Sequence, residues 1–329
     1  MTHPDQSVDG FYKVPVIALT SLGDFQPTVT DPERIYTVPI GDGMILAFLV
    51  NPRRAPAGDL RVGFHAAKGA GQTKGYRFAP LSICRASGSP FVLFADPTLT
   101  LAPYNVLSWY VGTADVDPDD AMETIIRRLM VASAAPYVLF EGSSGGGFVS
   151  MRLSARFSNS VAVPRIPQTD IFRYAATAPI TQTLKTAWNG LTHAEILENY
   201  AHRFRIADLY TDPGWNRGNL ITYVHNTGDV RHTQDHLTPF LQELGLRSTA
   251  YAAMNYRIII QRIYVGKGHI GIPSDFWPAE ANLALARLKK LKPDAEADEP
   301  MFVKPLEFSR KPETEEKRAE FIALHFKDF

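Results

Sequence analysis

The 329-residue chain has one cysteine, Cys84, so it can form no internal disulfide and its thiol content does not point to an oxidising compartment. It has no excess charge. Its 34 Lys and Arg residues balance 34 Asp and Glu, which removes the long-range attraction that nucleic acid or an anionic membrane surface would need. No run of about 18 apolar residues occurs, so no transmembrane helix is expected. The opening residues, MTHPDQSVDG, hold no apolar h-region. No secretory signal is therefore expected, and the cytoplasm is the expected location. Internal repeats are also missing. GAGQTKG (69–75) has the glycines of a nucleotide loop but no G-K-[ST] and no completed G-x-G-x-x-G, so nucleotide binding is not expected.

Hydrophobic residues make up 45% of the chain, enough for a sizeable core. Short candidate strands, FYKVPVIALT, ERIYTVPI and MILAFLV, fill much of residues 11–50. Six apolar runs follow: LRVGFHA (60–66), PFVLFAD (90–96), YVLFEG (137–142), SVAVPRI (160–166), NLITYVHN (219–226) and YRIIIQRIYVG (256–266). Near-continuous apolar strands are what a parallel sheet covered on both faces requires. Helical patterns separate them. Asp117 and Pro118 are the candidate N-cap and first-turn pair of one helix, Thr192 and Glu195 form a T-x-x-E capping box, and Gly245 closes DHLTPFLQELG. The alternation predicts a mostly parallel, doubly wound α/β sheet. The expected organisation is a β-rich segment at 1–54 packed on the core, a main domain at 55–292, and a charged tail at 293–329. Within the main domain, 167–218 is too long for a simple connection and is a candidate helical cap. The tail carries a candidate helix with Glu313 and Lys317 at i,i+4 and a stripe of Phe321, Ile322 and Leu324, a candidate homo-oligomer contact.

The stretch VLFEGSSGGGFVSMRLSARF (138–157) places two serines and a cluster of glycines between an apolar strand and a helix. These are poor strand and poor helix formers, so something other than local stability has chosen them. Gly142-Ser143-Ser144-Gly145-Gly146 matches G-x-S-x-G centred on Ser144, with Ser143 as the weaker rival register. Such a turn exposes the central hydroxyl beside a helix N-terminus, where free N–H groups favour an anion. A serine nucleophile needs a base, and the base needs an orienting carboxylate. His269, in VGKGHIG after the last apolar run, is the candidate base. Asp229, after NLITYVHN with Gly228 allowing the turn, is the candidate acid, with Asp235 and Asp170 as alternatives. Backbone N–H groups of Ala66 or Ala67, after the RVGFH strand, and of Gly145 are the candidate oxyanion donors.

With these residues in that order, the chain resembles the α/β-hydrolase-fold serine hydrolases over about residues 55–292. The resemblance implies acyl transfer through a serine ester, usually to water, without cofactor or metal. GSSGGGF with the downstream PQTDIF is also similar to a branch linked to glycan and capsule modification, which implies a small-molecule or glycan ester substrate. Lipase-like members often carry His-Gly-Gly where this chain has His65-Ala66-Ala67. His65, Ser143, Trp188 and Trp215 are candidate substrate contacts. Rival expectations remain: an acyltransferase in glycan modification, a metal-dependent hydrolase using His225, Asp229, His232, Asp235 and His236, or a non-catalytic interaction protein on the same fold.

Overall fold

A computed structural model describes residues 7–69, 75–102, 104–212, 218–253 and 257–292. Eleven strands form a single sheet: β1 (Ser7–Val8), β2 (Pro15–Ala18), β3 (Arg34–Gly41), β4 (Met44–Asn51), β5 (Asp59–Phe64), β6 (Phe91–Phe94), β7 (Tyr137–Ser143), β8 (Ser160–Arg165), β9 (Leu220–Asn226), β10 (Ala252–Ala253) and β11 (Ile258–Ile263). The spatial order is β1-β2-β3-β4-β6-β5-β7-β8-β9-β11-β10. From β6 through β11 every pairing is parallel. β3 and β4 form an antiparallel pair that continues the same sheet through β6. Every residue of β5, β8 and β9 is buried, as expected of strands covered on both faces.

The covering helices follow from the caps. α1 (Leu81–Ser87) joins β5 to β6, and α2 (Pro118–Ser133) begins at Asp117, whose carboxylate accepts from Asp119 N. α3 (Gly145–Ser154) follows β7 directly. Residues between β8 and β9 form α4 (Thr177–Ala187), α5 (His193–Phe204) and α6 (Ile206–Thr211), with the Thr192–Glu195 capping box opening α5. After β9, α7 (Val230–His232), a π-helical turn (Thr233–Leu237) and α8 (Thr238–Glu243) run on as one helical segment, and Gly245 follows it at φ 73°. α9 (Trp277–Leu291) packs on β7, β8 and β9 from the opposite face to α3. Trp215 and the candidate tail helix lie outside the described residues. Among the described residues, no helix is long and apolar enough to cross a membrane.

The chain leaves β5 toward β6 on one side and leaves β7 toward β8 on the other. The carboxyl ends of β5 and β7 therefore flank the switch point of the sheet, where open α/β sheets bind ligands. His65 and Ser144 stand at those ends.

Candidate active site

β7 ends at Ser143 and α3 starts at Gly145, so Ser144 alone makes the turn. Its backbone lies at φ 54° and ψ −119°, a conformation L side chains rarely adopt. Neighbouring glycines make the turn possible. A Cβ on Gly142 would sit 2.2 Å from the Gly146 carbonyl oxygen, and one on Gly146 would sit 2.4 Å from the Phe64 oxygen. Both obstacles are backbone, so strand and helix approach as closely as their main chains allow.

The structure brings Ser144, His269 and Asp229 together. His269 Nε2 lies 3.2 Å from Ser144 Oγ, and His269 Nδ1 lies 2.8 Å from Asp229 Oδ2. A carboxylate only accepts, so Nδ1 carries the proton and Nε2 presents its lone pair to the serine hydroxyl. Asp229 is buried at the N-cap of α7, and its Oδ1 accepts from His232 N at 3.0 Å. The loop carrying His269 is laced to the same turn. Asn226 Nδ2 donates to the Gly266 and Gly268 carbonyls, and Gly268 N donates to the Gly228 carbonyl at 2.9 Å. The alternative acids are occupied elsewhere. Asp235 pairs with Arg231 at 3.3 Å, while Asp170 caps Phe172 N and pairs with Arg173. Neither is placed on His269.

Three expectations change. His65 is fully buried, its Nδ1 2.5 Å from the Ala66 oxygen and its Nε2 accepting from Asp96 N at 3.1 Å. Burial pushes its pKa down to about 4, so it is a neutral structural group with no surface left for substrate. Trp188 is 2% exposed, its ring packed edge-on against Tyr200 and Phe204 with Arg203 over its face, so it belongs to the core and not to a binding surface. Ser143 is the last residue of β7, in register with Arg165 of β8. The expected metal-ligand set of His225, Asp229, His232, Asp235 and His236 is not the one the structure assembles. Among the described residues, the group of metal-ligating side chains within 4.8 Å of one another is Asp229, His232 and His269. His225 instead hydrogen-bonds Thr233 Oγ1 at 2.7 Å.

Gln168 was not anticipated. It follows β8, is fully buried, and its Nε2 donates to Ser144 Oγ at 2.8 Å. The sequence marks the site only as a polar residue just past a strand end, which is a weak signal. His232 stacks on His269 with ring centroids 4.2 Å apart, and His236 meets His232 edge-on at 4.5 Å. Burial, then the charges of neighbouring histidines, pushes the pKa of His232 down to about 2 and that of His236 to about 3. A neutral His232 ring therefore lies against His269, with a neutral His236 behind it.

No protein-family model and no curated protein sequence matches the chain. Solved structures do match. The capsule O-acetyltransferase of Neisseria meningitidis serogroup A superposes with a TM-score of 0.54 at 15% identity, over 86% of this chain and 98% of that one. Carboxyl esterase 2 from Tuber melanosporum gives 0.45 at 16%, over 84% and 90%. The Pyrococcus horikoshii acylaminoacyl peptidase gives 0.46 at 15%, over 80% and 40%. The chain has the α/β-hydrolase fold. At 15% identity the likeness to the capsule O-acetyltransferase establishes the fold alone. Within that fold the turn after β7 and the loops after β5, β9 and β11 converge on the same sheet edge, where Ser144, Asp229 and His269 stand.

Proposed function

We propose that this chain is a serine-dependent enzyme of carboxylic esters, with Ser144 as nucleophile, His269 as base and Asp229 as the orienting acid. The contact that carries the proposal is His269 Nε2 at 3.2 Å from a serine hydroxyl held on a strained strand-to-helix turn. A core serine needs no such backbone, and a surface histidine needs no buried carboxylate behind it.

Ser144 Oγ attacks the ester carbonyl carbon while His269 Nε2 takes its proton. The carbonyl π pair moves onto oxygen, producing the tetrahedral oxyanion. Gly145 supplies a first-turn N–H that the helix itself cannot satisfy. The second donor is the Ala67 N–H. His65 holds the Ala66 carbonyl oxygen, and in a trans peptide that turns the Ala67 N–H the opposite way. Collapse expels the alkoxide, which takes the proton from His269, and an acyl-enzyme on Ser144 remains. His269 then deprotonates water, or an acceptor hydroxyl, for the second attack. The stretch 167–218 bears on substrate access: Tyr174 packs edge-on against Trp109, and Asn105 Nδ2 ties the Trp109 loop to Pro179 O and Thr183 Oγ1 of α4.

Acyl transfer to a sugar hydroxyl is the second reading, and the observation that favours it is the likeness to a capsule O-acetyltransferase along 98% of that chain. A fluorophosphonate probe should label the wild-type protein and not Ser144→Ala. A p-nitrophenyl ester panel of increasing chain length, run with and without mono- and oligosaccharide acceptors, separates the two readings. Acceptor-dependent release with acylated sugar as product favours transfer, and acceptor-independent release favours hydrolysis. An unlabelled wild type with chelator-sensitive turnover would refute both and favour the Asp229, His232 and His269 metal group.

A further inference from the structure

We infer that Gln168 is a further catalytic residue, whose side-chain amide stabilises the charge that develops on Ser144 Oγ. The inference rests on the serine reading above. In that reading Ser144 Oγ donates to His269 and has lone pairs to spare, and Gln168 Nε2 occupies one of them at 2.8 Å. The amide cannot be turned the other way without loss. Its Oε1 accepts from the indole Nε1–H of Trp109 at 3.3 Å, and an indole can only donate. The oxygen therefore faces Trp109 and both N–H groups face the site. The second N–H points at His232 Nε2, 3.4 Å away, which leaves the proton of His232 on Nδ1.

Trp109 is itself held at a cost. It and Tyr110 both take positive φ, 50° and 55°, a conformation that bulky side chains avoid. Asp96 holds that loop by accepting from Ser108 N at 3.2 Å and Tyr110 N at 3.0 Å. Arg152 holds it from α3, donating to the Trp109 and Tyr110 carbonyls at 3.2 and 2.9 Å while forming a two-point pair with Asp119. Two strained aromatics, a buried carboxylate and a buried arginine thus fix one indole, and the polar task of that indole is to orient Gln168. Arg152 lies on the helix that begins beside Ser144, so nucleophile and amide share one rigid frame.

The chemistry follows from where charge appears. An N–H bond to a neutral hydroxyl is weak, and the same bond to an oxygen gaining negative charge is roughly twice as strong. As Oγ gives its proton to His269 and forms the new C–O bond, the amide favours the charge-bearing oxygen over the neutral one. In the second half-reaction the C–Oγ bond breaks and its electron pair stays on Oγ until His269 returns the proton. The Gln168 N–H faces that oxygen again. An interaction stronger in the transition state than in the ground state raises kcat and leaves KM nearly unchanged.

The test compares Gln168→Met and Gln168→Glu with the wild type and with Ser144→Ala. Fluorophosphonate labelling rates, steady-state kcat and KM on p-nitrophenyl acetate, and thermal melts are measured on each. Gln168→Met keeps the volume and removes the donor. It should label and turn over about tenfold more slowly, with KM within about twofold, less than the ~10²–10³ of an oxyanion-hole donor. Gln168→Glu puts an acceptor where the donor was and should fall further, because its carboxylate competes with His269 for the serine proton. Wild-type labelling and turnover in a folded Gln168→Met overturns the inference while the serine reading stands. If Gln168→Met does not fold, wild-type rates in Gln168→Glu overturn it alone. An unlabelled wild type, or a Ser144→Ala that still turns over, overturns the serine reading and Gln168 with it.

Discussion

Acid should loosen this fold through His65, whose burial opposes protonation. The ring is fully buried, and Nε2 must stay unprotonated to accept from Asp96 N. Burial first, then the charges of Lys68 and Arg77, brings its pKa down to about 4. In the unfolded chain it returns to about 6.5. Because the folded value is the lower one, the protein carries no penalty above pH 6.5 and loses stability as pH falls from 6.5 toward 4. The loss from this one ring is roughly 2 kcal/mol at pH 5 and about 3 kcal/mol below pH 4. Asp96, whose pKa burial raises, titrates in the opposite sense, so a bare pH profile would mix the two. The clean measurement is a cycle of variant against pH. His65→Phe leaves Asp96 N and the Ala66 oxygen without their partner, a cost of ~1–3 kcal/mol for each group at pH 7.5. It also removes the ring that resists protonation. Urea unfolding of both proteins at pH 7.5 and pH 5.0 should show the gap between them shrinking by roughly 2 kcal/mol at the lower pH. A gap that stays constant, or widens, would show that His65 is not held neutral in the fold.

Other outcomes follow from the same geometry. Asp229→Asn should keep the fold and lower kcat by about 10⁴, since an amide lets the imidazole take the wrong tautomer, as measured with a p-nitrophenyl ester. Gly146→Ala should abolish soluble, cooperatively folded protein, because its Cβ meets the Phe64 oxygen at 2.4 Å. Gly145→Ala meets only the Leu107 side chain, its Cδ1 at 2.5 Å, and should melt well above Gly146→Ala. Trp188→Ala should cost about 3–5 kcal/mol in urea unfolding with KM unchanged in the folded fraction, whereas Tyr174→Ala should shift KM across an ester panel at little cost in stability.

The parts legible in the sequence are those with a local cause. A strand buried on both faces must be apolar throughout, so β5, β7, β8 and β9 stand out as runs. The turn at Ser144 needs small residues at fixed offsets, because the obstacles to a Cβ are the backbones of the turn itself and of the next strand. Asp117 and the Thr192–Glu195 box announce their helices for the same reason, since each cap satisfies N–H groups within three residues of itself. The histidine and aspartate were legible only as residues of the right type after the right strands. Their union at 2.8 Å is a property of β9 and β11 being neighbours.

What stayed hidden depends on groups far apart in the chain. Gln168 receives its orientation from Trp109, 59 residues away, and no local pattern reports a long-range donor. His65 reads like the polar start of an oxyanion loop, and only the burial of both ring nitrogens by Asp96 and Ala66 makes it structural. Trp188 has the composition of a ligand platform, yet the neighbours that bury it come from α5. The expected metal-ligand set of His225, Asp229, His232, Asp235 and His236 is broken up for a different reason. The backbone over Thr233–Leu237 is a π-turn, so side chains there are not spaced by 3.6 residues. Asp235 swings out to Arg231, while His232 stays inside against His269 and His236 against His232. The wide turn therefore keeps the extra carboxylate away from His269 and leaves the neutral ring of His232 against it. In the mechanism proposed above, Asp229 is the carboxylate in contact with His269 that would stabilise an imidazolium formed as Ser144 gives up its proton.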